Sequence, residues 1–477
     1  MLPRDRPYSM STPLIFALLL LCAAGVAAGR RVVSPEGWMG GGQGTPSWIL
    51  AVSWISAEFS AMTMIGVPAA AYHGDWSLMQ FFLGSAFARI VVAFVFVGRL
   101  YGEGPDIYAY LERRFGTRTR IAGSALFVVS RTLFASVRLM AIAAVAASFF
   151  STPEQRWVFL FAAAAALSVS WGGLRAAVWT GLLQAGAIVF AGGAVLSFLV
   201  AGFEGGLGEG LRVAENAGRF AVWSWSAPAA VITGFVGSLA AFGTDQETLQ
   251  RLFCARSRIS AQQAVIFAAA GAGLVLVLFL ALGTGLFVFY EQRTALALPA
   301  SPDTALAHFA AQALSAEKRG LLLAGFVLAS IDLPLVGLAT VFPGPGSGRA
   351  GLKRLRIGAA VWAFALAGGA VAFLESSRWL WIGFKIGGIV YGPLLGVFLY
   401  GFFGPRRSDG AGAASLAASA FVCACVLGAI ESSAFSAGWH WLPLFGAVLA
   451  AGLVHVLSRP GGSRGGRSQE RKRSPKS

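Results

Sequence analysis

The chain has 477 residues, of which 56% are hydrophobic and only 12% charged, and its mean hydropathy is +0.70. That balance excludes a soluble globular protein of this size, which would need far more polar surface. The net charge of +16 does not mark a nucleic-acid partner, because the basic residues sit in short segments between apolar runs.

About thirteen apolar runs of membrane length follow one another, roughly at 12–28, 47–72, 78–98, 121–150, 157–171, 178–202, 227–248, 261–289, 320–342, 357–374, 379–402, 411–433 and 441–458. None alternates apolar with polar, as barrel strands do. The expected class is an all-α polytopic membrane protein, with membrane lipid as its surroundings. With the N-terminus outside, roughly 24 Lys and Arg fall in inner segments and about nine in outer ones. This bias predicts N-out and C-in topology. None of the four cysteines falls in an outer loop, so no disulfide framework is expected.

The first run resembles a signal peptide in its basic start and LIFALLLLCAAGVAAG core, but the double arginine after it suits a retained helix. Within the second run, Trp54 to Tyr72 reads WISAEFSAMTMIGVPAAAY. Ser56, Glu58, Ser60 and Thr63 are costly in hydrocarbon and are expected to face protein, water or a ligand. Gly66 and Pro68 are expected to interrupt the helix. The third run carries Gln80, Ser85 and Arg89, and the loop after it is expected to hold a short amphipathic surface helix. Arg131 and Arg138 lie on nearly one face of the fourth run, as candidates for a solute site or for an ion pair with Glu58 or Asp332. Thr180 and Gln184 stand one turn apart in the sixth run. The seventh run carries Ser238, and Gly243 and Thr244 can end it, leaving Asp245, Gln246, Glu247 and Gln250 where it emerges inside. In the ninth, Pro334 is expected to kink the helix and free carbonyls near Ser330. The glycines of GPLLGVFLYGFFG in the eleventh are spaced for close helix packing. The tail 459–477 is basic and polar, and is expected to be disordered and cytoplasmic.

Three stretches together resemble the sodium:solute symporter family: ISAEFSAMTMIGVPAAAY, IYAYLERRFG at 107–116 and GTDQETLQR at 243–251. The resemblance implies a LeuT-type fold. Inverted repeats would cover about 47–202 and 227–402, with one extra helix before them and two after, and residues 1–458 would form one transporter domain. It implies a secondary active transporter of a small organic solute (a sugar, amino acid, carboxylate or vitamin type) in a bacterial-type inner membrane. No enzymatic activity or cofactor follows; sodium is the coupling ion. By position in the motifs, the carbonyls of Ser56, Phe59 and Phe326 and the hydroxyl of Ser330 would hold sodium. Glu58, Thr63, Gln80, Ser85, Arg138 and Ser238 would meet the solute.

The chain departs from the family pattern in three places. The usual hydroxyl pair reads Ala329-Ser330, Gly181 replaces an acidic residue in TGLLQ, and Val336-Gly337 replaces Asn-Ser. These losses, with Glu58 and Asp332 available as carboxylates, keep open proton-coupled or uncoupled transport on the same fold. Asp332 is the candidate coupling residue.

Overall fold

A computed structural model describes residues 8–42, 44–59, 61–150, 152–223, 227–293, 305–330, 334–374, 379–405, 411–433 and 438–458. Ser60, Asp332 and the tail 459–477 therefore lie outside the described residues. In chain order the helices are α1 (Tyr8–Gly29), α2 (Pro35–Gly40), α3 (Ser47–Glu58), α4 (Ala61–His73), α5 (Leu78–Val91), α6 (Gly98–Leu100), α7 (Tyr108–Phe115), α8 (Thr117–Phe150), α9 (Glu154–Ala201) and α10 (Gly206–Asn216). A π-helical turn, Val92–Val97, joins α5 to α6. Then follow α11 (Ala227–Thr244), α12 (Gln246–Leu252), α13 (Arg258–Glu291), α14 (Ala305–Ala313), α15 (Ala316–Ser330), α16 (Leu335–Val341), α17 (Gly348–Ala372), α18 (Trp379–Phe403), α19 (Ala411–Glu431) and α20 (Leu442–Leu457).

Among the described residues, nine helices are long and apolar enough to cross a membrane, ten if the bent pair Ser47–Glu58 and Thr63–His73 counts as one span. The gap from the thirteen expected runs has identifiable origins. The runs at 157–171 and 178–202 are two helices that meet at a kink at Gly173 and are numbered together as α9. There φ is 54° and ψ −142°, and a Cβ would meet the Trp38 carbonyl at 2.4 Å. Glycine fits both the backbone angle and the close approach. The seventh run is the shorter α11, and the described parts of the ninth are α15 and α16.

Packing follows the small residues. α1 lies against α9 and α15, so the first run is part of the bundle. α3 packs on α9 and α13, α5 on α11, and α18 on α20. Gly392 and Gly396 let α18 approach the α20 backbone at Pro443 and Ala447, as their spacing suggested. The surface helix α7 buries Tyr108, Leu111 and Phe115, one face at i, i+3 and i+7. Arg120 ties the loop before it, donating to Asp106 at 2.8 Å and Glu112 at 2.6 Å. Burial raises the Asp106 carboxyl despite Arg120, whereas hydrogen bonds from Arg120 and Thr117 hold the exposed Glu112 carboxyl below its ordinary range.

The expected break in the second run is corrected in its position. Gly66 and Pro68 both lie inside α4. The chain instead bends by 66° between Glu58 and Thr63. Pro68 is held by its neighbour: Gly283 on α13 brings its own backbone so near that a Cβ there would meet the Pro68 carbonyl at 2.3 Å. Tertiary packing keeps the helix going past a residue that disfavours it.

Candidate solute and ion site

α3 stops at Glu58. α15 packs against both α3 and α4. A helix that stops in the bilayer leaves its last carbonyls without amide partners four residues on. Phe59 caps α3 in an extended conformation, φ −86° and ψ 91°, with its N–H returning to Ile55 O. Thr63 Oγ1 donates to Glu58 O at 3.4 Å across the bend. The hydroxyl of Ser56 donates to Ser53 O at 2.8 Å, so the carbonyl of Ser56 is what it offers an ion. The carbonyl-bearing backbone of Phe326 lies on the last turns of α15. The Ser330 hydroxyl, like Asp332, lies outside what is described.

Glu58 pairs with a partner the sequence left unassigned. It bonds Arg89 of α5, not Arg131 or Arg138 as the sequence reading considered. Arg89 is fully buried and lies between the rings of Phe82 and Phe242, 5.4 and 4.7 Å from their centroids. Trp54 of α3 meets Phe242 of α11 edge-on at 5.7 Å. Gln80 donates to Val222 O, and Ser85 bonds Ser238 at 2.7 Å, joining α5 to α11. Arg138 is buried on α8. Thus α3, α5 and α11 bring Glu58, Arg89, Ser85 and Ser238 into one neighbourhood through named contacts.

The motif at 243–251 forms a second buried cluster at the arginine-rich end of the bundle. Asp245 N-caps α12 by accepting from Thr248 N at 3.0 Å. It also takes Arg131 at 2.7 Å, and Glu247 takes Arg131 at 3.2 Å and Arg251 at 3.0 Å. Arg251 reaches α3, donating to Ser53 O at 3.1 Å and Ser53 Oγ at 2.9 Å. Gln250 donates to Met39 O at 2.8 Å and Thr340 Oγ1 at 3.0 Å, while Gln246 accepts from Ile107 N at 2.9 Å. Arg131, a candidate for the solute site or for an ion pair with Glu58 or Asp332 from the sequence, belongs here. The signal for this cluster was the density of polar residues in GTDQETLQR; its partners on five other segments carry no local pattern.

Gly181 accounts for one departure from the family pattern. A Cβ there would stand 2.8 Å from both Ser53 Oγ and Ser56 Oγ. α3 lies flush against α9 where the family carries an acidic side chain.

The family model for the sodium:solute symporter family matches residues 38–338. Among curated proteins, the sodium/sialic acid symporter NanT of Aliivibrio fischeri is 26% identical over 425 residues, 83% of each chain. The mouse sodium-coupled monocarboxylate transporter 1 is 26% identical over 298 residues, 58% of this chain and 48% of that one. Among solved structures, a substrate-bound, outward-open sodium-coupled sialic acid symporter superposes with a TM-score of 0.83 at 20% identity, covering 94% of this chain and 97% of the other. That likeness shows a shared fold, the LeuT type. With its model covering well over half of the sequence, the chain belongs to the sodium:solute symporter family.

Proposed function

We propose that the chain carries a small organic solute across the membrane together with sodium, by alternating access. The observation that carries this reading is the packing of α15 against the bend that follows Glu58, between α3 and α4. Half-helix ends of this kind supply carbonyl oxygens to a hard cation at mid-membrane depth. Ser56 and Phe59 contribute carbonyls from the end of α3, Phe326 a carbonyl and Ser330 a hydroxyl from α15, and Asp332 is the coupling candidate. The solute lies against Glu58, Thr63, Gln80, Ser85, Arg138 and Ser238. The NanT relative makes sialic acid the first solute to test. Residues 47–202 and 227–402 form the inverted repeats, in an inner membrane, N-terminus out and C-terminus in.

Uptake into proteoliposomes tests this. Sialic acid accumulation is expected only with an inward sodium gradient, at fixed voltage and pH. Accumulation of any solute that a pH gradient drives and a sodium gradient does not would replace sodium with protons.

A further inference from the structure

We propose that the seam where the end of α1 meets α9 and α17 binds an anionic phospholipid, with Arg356 taking the phosphate and Trp171 as the platform beneath it. α9 packs against both α1 and α17. Arg356 of α17 lies over the half-exposed ring of Trp171 of α9, 4.9 Å from its centroid. Its Nη2 donates to Val32 O at 3.2 Å and to Trp171 O at 3.5 Å, which holds the guanidinium in place. Neither of its other nitrogens has a hydrogen-bond partner among the described residues. Nε is buried, and Nη1 is left to donate outward.

No carboxylate answers this guanidinium. Arg356 makes no ion pair among the described residues, and α17 contains no acidic residue. Glu36, exposed in the first turn of α2, makes no ion pair either. More cations are close in the fold. Arg349 and Lys353 precede Arg356 on the same face of α17, and Arg30 and Arg31 lead directly into Val32, whose carbonyl Arg356 holds. All four are exposed. Membrane topology needs such charges only to lie on one side of the bilayer. It does not need one laid on an aromatic ring with donors to spare. Basic clusters beside a membrane helix attract anionic headgroups, and a guanidinium is well suited to phosphate oxygens. The apolar surroundings make the ligand a lipid. The same face of α17 continues into Ile357, Val361 and Phe364, all exposed, and Leu167 is exposed one turn before Trp171. An acyl chain covers that strip, whereas a small anion from water does not.

The test uses the purified full chain, stripped of lipid in detergent, and adds phosphatidylglycerol, phosphatidylcholine or inorganic phosphate. Bound lipid is counted by native mass spectrometry and thermal midpoints are read alongside. Phosphatidylglycerol is expected to bind and to raise the midpoint; the other two are not. Arg356→Gln should weaken phosphatidylglycerol binding about fivefold or more. Arg258→Gln removes an exposed arginine at the start of α13, outside the seam, and should leave binding unchanged. Should Arg356→Gln fold poorly, Arg349→Gln/Lys353→Gln takes its place. Those two side chains hold no hydrogen bond or ion pair among the described residues, and their loss should weaken phosphatidylglycerol binding to a similar degree.

Equal binding of the two lipids by the unaltered protein overturns the proposal, because only the apolar strip would then be recognised. So does an equal loss in Arg356→Gln and Arg258→Gln, since charge anywhere on that end would suffice. Inorganic phosphate that stabilises as much as phosphatidylglycerol overturns it as well, making this a small-anion site. None of these outcomes bears on the symport reading, which stands or falls on sodium-driven uptake.

Discussion

At the scale of single residues, Ser53 is the junction. Its carbonyl accepts both the Ser56 hydroxyl and Arg251, its hydroxyl accepts from Arg251, and its backbone lies against Gly181. The turn that bears the candidate ion carbonyls is thus fixed from two sides. Restoring an acidic side chain at position 181 should push that turn away. Gly181→Asp is expected to cost about 1–3 kcal/mol by overpacking, with a further penalty for a buried charge. Thermal unfolding should show a midpoint lowered by several degrees, and sodium should stabilise the variant less than the parent. A variant that unfolds at the parent midpoint and responds more strongly to sodium would show that the space is not closed. The glycine was legible in the sequence as a departure. Its reason was not, since what fills the place is two hydroxyls about 125 residues earlier in the chain.

At the scale of elements, hydropathy located the helices well, because crossing hydrocarbon demands backbone self-satisfaction regardless of partners. It located the interruptions less well. Pro68 reads as a breaker, yet the chain bends between Glu58 and Thr63, where neither residue type nor spacing announces it. Where an apolar helix breaks depends on which neighbour can accept the freed backbone groups, and that is a property of packing. α5 and α11 show the converse, a contact made by residue size. A Cβ on Gly84 would meet Val231 O at 2.0 Å, and one on Gly234 would meet Phe81 O at 2.2 Å. The Ser85–Ser238 bond lies one residue and four residues beyond these glycines, respectively. Gly234→Val should therefore separate the two helices and break that bond. Its expected signature is a destabilisation larger than that of Ser238→Ala, read as thermal midpoints of the two variants. A milder effect for Gly234→Val would mean that the helices part without cost and that the glycine contact is incidental.

At the scale of the molecule, the family motifs pointed to the fold, but the pairing of buried charges emerged only from the folded chain. Glu58 finds Arg89, and Arg131 finds Asp245 and Glu247, across 31 and more than 100 residues. The second of these clusters ties five other segments together at the arginine-rich end. α12 reaches α2 through Met39, α3 through Ser53, α8 through Arg131, α16 through Thr340 and the loop before α7 through Ile107. Alternating access requires these ties to part when solute leaves on that side. Cys254 reports on the event. It is buried beside α12, its thiol donates to Gly40 O at 3.0 Å, and burial pushes its pKa up to about 12. The thiolate is the reactive form, so little of the closed state reacts at neutral pH, and its rate should climb with pH until about 12. Opening would hydrate the thiol, lower its pKa and let the rate level off at lower pH. Arg251→Gln removes the ties to Ser53 and Glu247 and should raise maleimide modification of Cys254 at neutral pH by about tenfold or more, measured by mass spectrometry against a Cys254→Ser control. Equal rates in parent and variant, with the same pH profile, would mean that Arg251 does not hold this end closed.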